Sequence, residues 1–271
     1  MNIPSCDIGL IGGSATFSIN MPETLTLPNV TTEKSGLVFN TPFGLSPEFK
    51  VFYIHRERNI KSVLACKMHG WRRGVSRSNA SRQVFWVFRN AGVKRVLAEG
   101  GVGAINHLLT PPDLLIPDDY LDNSMYKDVS LDDNYLLIMR DALCPEMRRV
   151  INEVCRESWD GRIFDRGVYV NTDGFHLETA SEINQYRIAG GDVVGQSLCP
   201  EVYLAREIGA CYAGIYLVAD YAEGVLNPHK KLQELFYSES CAVGRLLINI
   251  ISDLPAIPDC DCFNLRKETP C

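Results

Sequence analysis

Strand-length apolar runs alternate with segments of helical period from Cys6 to Ser252, and this alternation limits what the chain can fold into more than any other feature. The apolar runs are Cys6 to Ile11, Lys50 to His55, Ser62 to Cys66, Val93 to Ala98, Leu114 to Ile116, Gly167 to Val170, Asp192 to Val194 and Gly214 to Val218. Helical period occupies Ser81 to Asn90, Cys144 to Glu157, Glu178 to Ala189, Glu201 to Ile208 and Lys230 to Ser252. Strands separated by helices pair most readily in parallel, so the pattern predicts an α/β protein with a mixed or mostly parallel sheet flanked by helices. No repeat and no Gly/Ser/Pro-rich linker interrupts it, and a single domain over residues 1–271 is expected. In such sheets ligands sit beyond the carboxyl ends of the strands, where glycine turns and helix starts gather.

Composition narrows the partners. With 27 Lys and Arg against 33 Asp and Glu the formal charge is −6, so no global positive field gathers nucleic acid or an anionic membrane. No apolar run reaches the ~18 residues of a transmembrane helix, and the start MNIPSCDIGLIGGS lacks the pattern of a signal peptide. A cytoplasmic protein is the expectation. The ten cysteines are spread along the chain with no CxxC pair. Cys260 and Cys262 have no second local pair and no neighbouring His, so buried thiols rather than a metal site are expected.

Four clusters could carry chemistry. Gly12-Gly13-Ser14 ends the first strand in a turn whose amides and hydroxyl can approach an anion, although an ordinary tight turn reads the same way. The loop from Lys67 to Gly74 offers His69, Arg72 and Arg73, which suit an anion or simply a solvated surface. Glu99-Gly100-Gly101-Val102-Gly103 follows a strand and resembles an oxyanion nest. Between Thr172 and Tyr221, Ser197 precedes the helix begun by Pro200 and Glu201, and Asp220 ends an apolar strand, where it can face a ligand or cap a turn. There is no GxSxG elbow, HExxH helix, P-loop or dinucleotide fingerprint. The remaining groups suit a small anionic nucleophile that attacks a carbon whose leaving group needs protonation.

Several stretches, in order, resemble the trimeric purine nucleoside phosphorylases, and most nearly their 5'-methylthioadenosine phosphorylase branch. They are IGGS, NTPFGLSP, MHG, LAEGGVGAIN, ALCPEMRRV, ETASEINQYRIAGGDVVGQSLCPEVYLAREIGACYA and VADY. The resemblance implies a single nucleoside-phosphorylase-like domain, a homotrimer, and phosphate-driven cleavage of an N-glycosidic bond to free base and sugar 1-phosphate. Inorganic phosphate would be co-substrate, with no cofactor. Ser14, His69 and Ser197 match phosphate-contacting positions, and Asp220 matches the aspartate facing the purine, where it would serve proton delivery to N7.

Departures from the pattern are informative. Met68 stands where the family has its phosphate arginine, which leaves Arg72 or Arg73 as substitutes. Gln196 replaces the sugar methionine, Leu177 the stacking aromatic and Ala222 a second base-facing aspartate, while the residue near Gly103 is also altered. Asp173-Gly174-Phe175 replaces a glutamate-glycine-proline turn. These changes imply a wider, less polar base pocket open to larger planar aromatic ligands. They keep two alternatives in view: a binding protein on the same scaffold, and a phosphate-independent hydrolase. Gln233, Phe236 and Tyr237 fall where the 5' end of the nucleoside should lie, and a Cys144–Cys211 disulfide is compatible with the resemblance.

Overall fold

The computed structural model describes residues 2–56, 59–125, 127–226 and 232–269. Eleven strands form one mixed sheet. They are β1 (Ile8–Ile11), β2 (Val30–Leu37), β3 (Phe49–Arg56), β4 (Asn59–Cys66), β5 (Arg95–Ala104), β6 (Leu114–Leu115), β7 (Asp119–Asp122), β8 (Ile163–Phe164), β9 (Val168–Asn171), β10 (Val193–Gly195) and β11 (Cys211–Tyr221). The main path runs β8-β6-β11-β5-β1-β4-β3-β2, and β10, β9 and β7 branch from β5. Five helices cover its faces: α1 (Arg77–Ala91), α2 (Pro145–Ser158), α3 (Ala180–Ile188), α4 (Glu201–Glu207) and α5 (Leu232–Asp253). The expected α/β class is observed. Among the described residues no helix is long and apolar enough to cross a membrane.

Strand alternation divides the core between the two faces. On β3, Phe49 and Val51 pack with Phe85 and Phe88 of α1, whereas Phe52 and Ile54 pack with the apolar side of α5. Local chemistry sets the helix ends. Ser76 caps α1 by accepting from the Asn79 amide, Gly92 at φ 79° closes it, and Thr179 with Glu182 forms a capping box on α3. Two strands lack an apolar pattern in the sequence: β2 is exposed apart from Val30 and Leu37, and β7 is the four-residue segment DYLD at a sheet edge.

The site is created by a split in the sheet. One edge of β5 pairs in parallel with β1 only over Arg95–Ala98, and antiparallel β10 takes up that edge only at Gly103 and Ala104. Between these pairings Glu99 to Val102 border a gap, while β11 follows the other edge of β5 along its whole length. The expected turn over Glu99 to Gly103 is therefore corrected: these glycines lie within β5. Pairing with β11 keeps these residues extended, and the bare Gly101 lets the Phe236 ring and Ser14 close over the backbone.

Candidate functional site

A cleft of about 270 Å³ opens at the split, beyond the ends of β1, β4, β10 and β11. It is bordered by Ser14, His69, Gly103, Leu177, Gln196, Ser197, Asp220 and Ala222, eight of the ten residues singled out from the sequence. Arg72 and Arg73 are not among them.

The glycine turn after β1 is filled from within the protein. Glu99 is wholly buried, and its carboxylate accepts the Gly13 amide, the Ala15 amide at 3.1 Å, the Thr16 amide at 3.2 Å and the Thr16 hydroxyl at 2.5 Å. Burial raises the Glu99 pKa above the usual carboxylate range, and these donors work against that rise. The turn amides thus serve Glu99 rather than an external anion, which corrects that expectation. A Cβ on Gly13 would stand 2.2 Å from the Glu99 carbonyl oxygen and 2.6 Å from His69 Nε2, so only glycine fits. The Ser14 hydroxyl accepts the Gly101 amide at 2.7 Å, leaving its own proton to be donated.

His69 is held in a strained loop. Met68, His69 and Gly70 all have left-handed backbones, with φ of 48°, 54° and 70°, and the His69 amide donates to the Gly12 carbonyl at 3.0 Å. Nδ1 lies 2.8 Å from Glu201 Oε1, and Tyr212 donates to Glu201 Oε2 at 2.9 Å. Burial opposes a charge on the imidazole, yet Glu201, with a contribution from Glu99, outweighs it and raises the His69 pKa above the ordinary value. The result is a buried imidazole biased toward its cationic form beside the turn. Ser197 lies in the bend after β10, with its Oγ 3.3 Å from the Tyr169 hydroxyl. It precedes the seven-residue α4, whose first residue, Glu201, turns its carboxylate to His69, so the expected helix N-terminal seat for an anion is not built.

The substitute-arginine expectation is corrected by the hydrogen bonds. Arg72 donates to the carbonyls of Gly70 and Leu45 and to Gln83 Oε1 at 2.6 Å, turned toward a different groove. Arg73 is exposed. A cation that sequence reasoning missed lies beside the cleft: the Arg77 guanidinium is 4.0 Å over the Trp71 ring and donates to Gln196 Oε1 at 2.8 Å, both residues of the cleft wall. Its charge also lowers the His69 pKa, which places it within electrostatic reach of the imidazole. It lies between the loop that ends at Gly74 and the helical period read from Ser81, so neither reading took it in.

At the other end, Asp220 follows an irregularity in the pairing of β11 with β5, and its Oδ1 accepts the Tyr221 amide at 2.7 Å. Ala222 is buried against Gly103 and leaves the wall there apolar. Gln196 Nε2 donates to the His176 carbonyl at 2.9 Å, tying the loop over Leu177 to the Arg77 guanidinium. Among the further residues that border the cleft are Trp71, buried Glu178, which accepts from Thr172, and Met68 itself. Phe236 of α5 also borders it, Tyr237 packs 5.8 Å from Phe17, and the Gln233 side chain lies outside the described residues. The Cys144–Cys211 bridge that the resemblance allows is not formed: both are buried free thiols, the state expected for most of the cysteines.

Comparison with known proteins gives a consistent picture. The model of the Phosphorylase superfamily matches residues 9–252. A 6-oxopurine nucleoside phosphorylase of Pyrococcus furiosus is 32% identical over 199 residues, covering 69% of this chain and 75% of that protein. An S-methyl-5'-thioadenosine phosphorylase of Nitrosopumilus maritimus is 26% identical over 268 residues, covering 97% of each. Methylthioadenosine phosphorylase from Schistosoma mansoni, solved with adenine, superposes with a TM-score of 0.78 at 20% identity over 95% of each chain.

Proposed function

The chain belongs to the Phosphorylase superfamily, and from that premise we propose that it cleaves the N-glycosidic bond of a 5'-methylthio-type purine nucleoside with inorganic phosphate. The observation that carries this reading is one cleft with hydroxyls and a buried, charge-biased imidazole at one end and a strand-end carboxylate at the other. Phosphate would take the end formed by Ser14, His69 and Ser197, with the Arg77 guanidinium supplying the positive charge that Met68 cannot. The base would lie between Gly103, Ala222 and Asp220, and the sugar between, near Gln196 and Leu177. As the C1'–N9 bond breaks, its electron pair moves into the purine. Asp220 relays a proton to N7, and a phosphate oxygen closes on the oxocarbenium-like C1' from the opposite face. The reaction so written calls on no cofactor.

A 6-amino base suits Asp220, because a carboxylate accepts from the exocyclic amine whereas a 6-oxo base presents another acceptor. The relatives' names cover both bases, so this assignment rests on Asp220. The apolar wall at Ala222 also favours larger planar aromatic ligands. A homotrimer is part of the proposal, supported by apolar side chains exposed at the cleft mouth. Incubation with methylthioadenosine tests the reaction: free base should appear only when phosphate is present. Release without phosphate would identify a hydrolase, and tight binding without turnover at any phosphate concentration would identify a binding protein.

A further inference from the structure

Four cysteines from distant parts of the chain meet on the side of the sheet covered by α2 and α5, apart from the cleft. Cys144 immediately precedes α2, Cys211 begins β11, and Cys260 and Cys262 lie in the segment after α5. Their four Sγ atoms all lie within 4.8 Å of one another, with Cys211 and Cys260 at 3.3 Å. In a tetrahedral thiolate site with metal–sulfur bonds near 2.3 Å, the sulfurs stand about 3.8 Å apart, within the spread observed. Polynuclear iron–sulfur clusters interpose several atoms and hold their thiolates farther apart, so this spacing suits a single ion.

We propose that Cys144, Cys211, Cys260 and Cys262 form a structural site for one thiophilic divalent cation of the zinc class. The backbone already holds the donors in place. The Cys144 amide donates to the Tyr212 carbonyl at 2.8 Å, the Cys211 amide to the Lys94 carbonyl at 2.9 Å, and the Asp259 amide to Glu146 Oε1 at 3.1 Å. Arg206 donates to the Cys262 carbonyl at 3.4 Å, and Arg149 borders a surface groove of about 420 Å³ that reaches Cys260 and Cys262. Arg206 sets positive charge beside a tetrathiolate, and the groove, lined also by Asp141, Glu146, Asp259 and Asp261, gives a cation access to the half-buried Cys260. Four thiolates fill all the positions of a tetrahedral ion and leave none open to substrate, which fits a structural rather than a catalytic ion. The ion would clamp the segment after α5, itself held by a short antiparallel pairing of Arg266–Glu268 with Tyr135–Leu137, to the core of the sheet.

The spacing explains why the sequence conceals this site. The local pair is C-x-C, and its partners are separated from each other by 211 − 144 = 67 residues. The competing outcome is pairing of the same thiols as disulfides, for which four cysteines allow three connectivities.

The test uses the full chain, reduced, freed of metal with a chelator and titrated anaerobically with cobalt(II). Saturation at one equivalent per chain is expected, with the intense sulfur-to-cobalt charge-transfer band and visible bands of a tetrahedral thiolate, bleached by one equivalent of zinc. Cys260→Ser with Cys262→Ser should weaken cobalt binding at least 100-fold, whereas Cys241→Ser, outside the cluster, should leave the titration unchanged. If the double variant fails to fold, Cys260→Ser alone should show the same loss, and zinc should raise the melting temperature of the native chain but not of that variant. A reduced native chain that takes up no cobalt overturns the proposal, as does a thiolate spectrum that survives in Cys260→Ser. So does an isolated protein lighter by two disulfides that binds no ion after reduction.

Discussion

At the residue scale, contacts separate Arg72, which the sequence offers as a substitute cation, from Arg77, which it does not. Arg77 reaches Gln196 beside the cleft, whereas Arg72 is occupied by two carbonyls and Gln83. A charge-assisted contact is worth about 1.5–3 kcal/mol. Arg77→Gln should therefore raise KM for phosphate roughly 10- to 150-fold with a smaller change in KM for the nucleoside, while Arg72→Gln should leave both near native values. Initial rates over a phosphate series decide this, and equal effects of the two changes would remove Arg77 from the site. His69 adds a pH dependence whose sign follows from its raised pKa. The imidazole is cationic below that pKa, so phosphate affinity and the stability gained from the Glu201 pair should be full at and below pH ~6.5 and decline as pH rises through the folded value. His69→Gln should flatten the phosphate KM profile across that range, and a native profile that tightens with rising pH would contradict the assignment. Asp220→Asn should lower turnover of a 6-amino nucleoside about 10- to 1,000-fold, or ~1.4–4 kcal/mol, and shift preference toward 6-oxopurines. Retention of full methylthioadenosine turnover would place the base elsewhere.

At the element scale, the cleft depends on the half of β5 that lacks a neighbour along one edge. A Cβ on Gly101 would stand 2.4 Å from the Phe236 ring and 2.9 Å from Ser14 Oγ, so α5 closes over β5 only because that position is bare. Gly101→Ala should push the Phe236 ring and Ser14 aside and raise KM for nucleoside and phosphate together. Adding Phe236→Ala should recover the nucleoside term more than the phosphate term, because the clash with Ser14 remains; no recovery in steady-state kinetics would mean that the ring does not set the gap. The same strand shows what sequence can and cannot disclose. Periodicity located β1, β3 to β6, β9 to β11 and every α-helix to within a few residues, apart from the glycine half of β5, because each buries an apolar face. It missed β2, β7 and the two-residue β8, whose backbones pair at sheet edges with little apolar burial, and it read the β5 glycines as a turn because glycine has no side chain to reveal strand alternation. Ser14, His69, Ser197 and Asp220 were legible because their residue types sit at strand ends. Glu99 and Glu201 were not, since a buried carboxylate inside or just after an apolar run is meaningful only once its partners are in place. The Cys144, Cys211, Cys260 and Cys262 cluster shows the same limit at longer range, being assembled by tertiary folding.

At the scale of the whole molecule, large apolar side chains stay exposed on the loops beside Leu177 of the cleft wall. Phe175, Met125 and Leu177 are 101%, 88% and 74% exposed, and the Met125 amide donates to Asp173, which brings their two loops together beside the mouth. β7 forms the adjoining sheet edge, paired only with β9, and exposes Leu121. Each large apolar side chain left in water forgoes about 1.5–3 kcal/mol of burial, and contiguous patches of this kind mark contact surfaces. A second copy of the chain packed here would cover the patch and bring its own side chains toward Leu177, completing the wall that the missing aromatic leaves thin. For the homotrimer proposed above, light scattering on the eluting protein should give a mass near three chains. Phe175→Ser combined with Met125→Ser should shift the mass toward one chain and raise KM for the nucleoside in parallel, since neither residue borders the cleft within its own chain. The kinetic change should be reversed by raising protein concentration, because mass action restores the assembly. A native chain that is monomeric at micromolar concentration and fully active would show instead that the exposed patch serves the nucleoside directly.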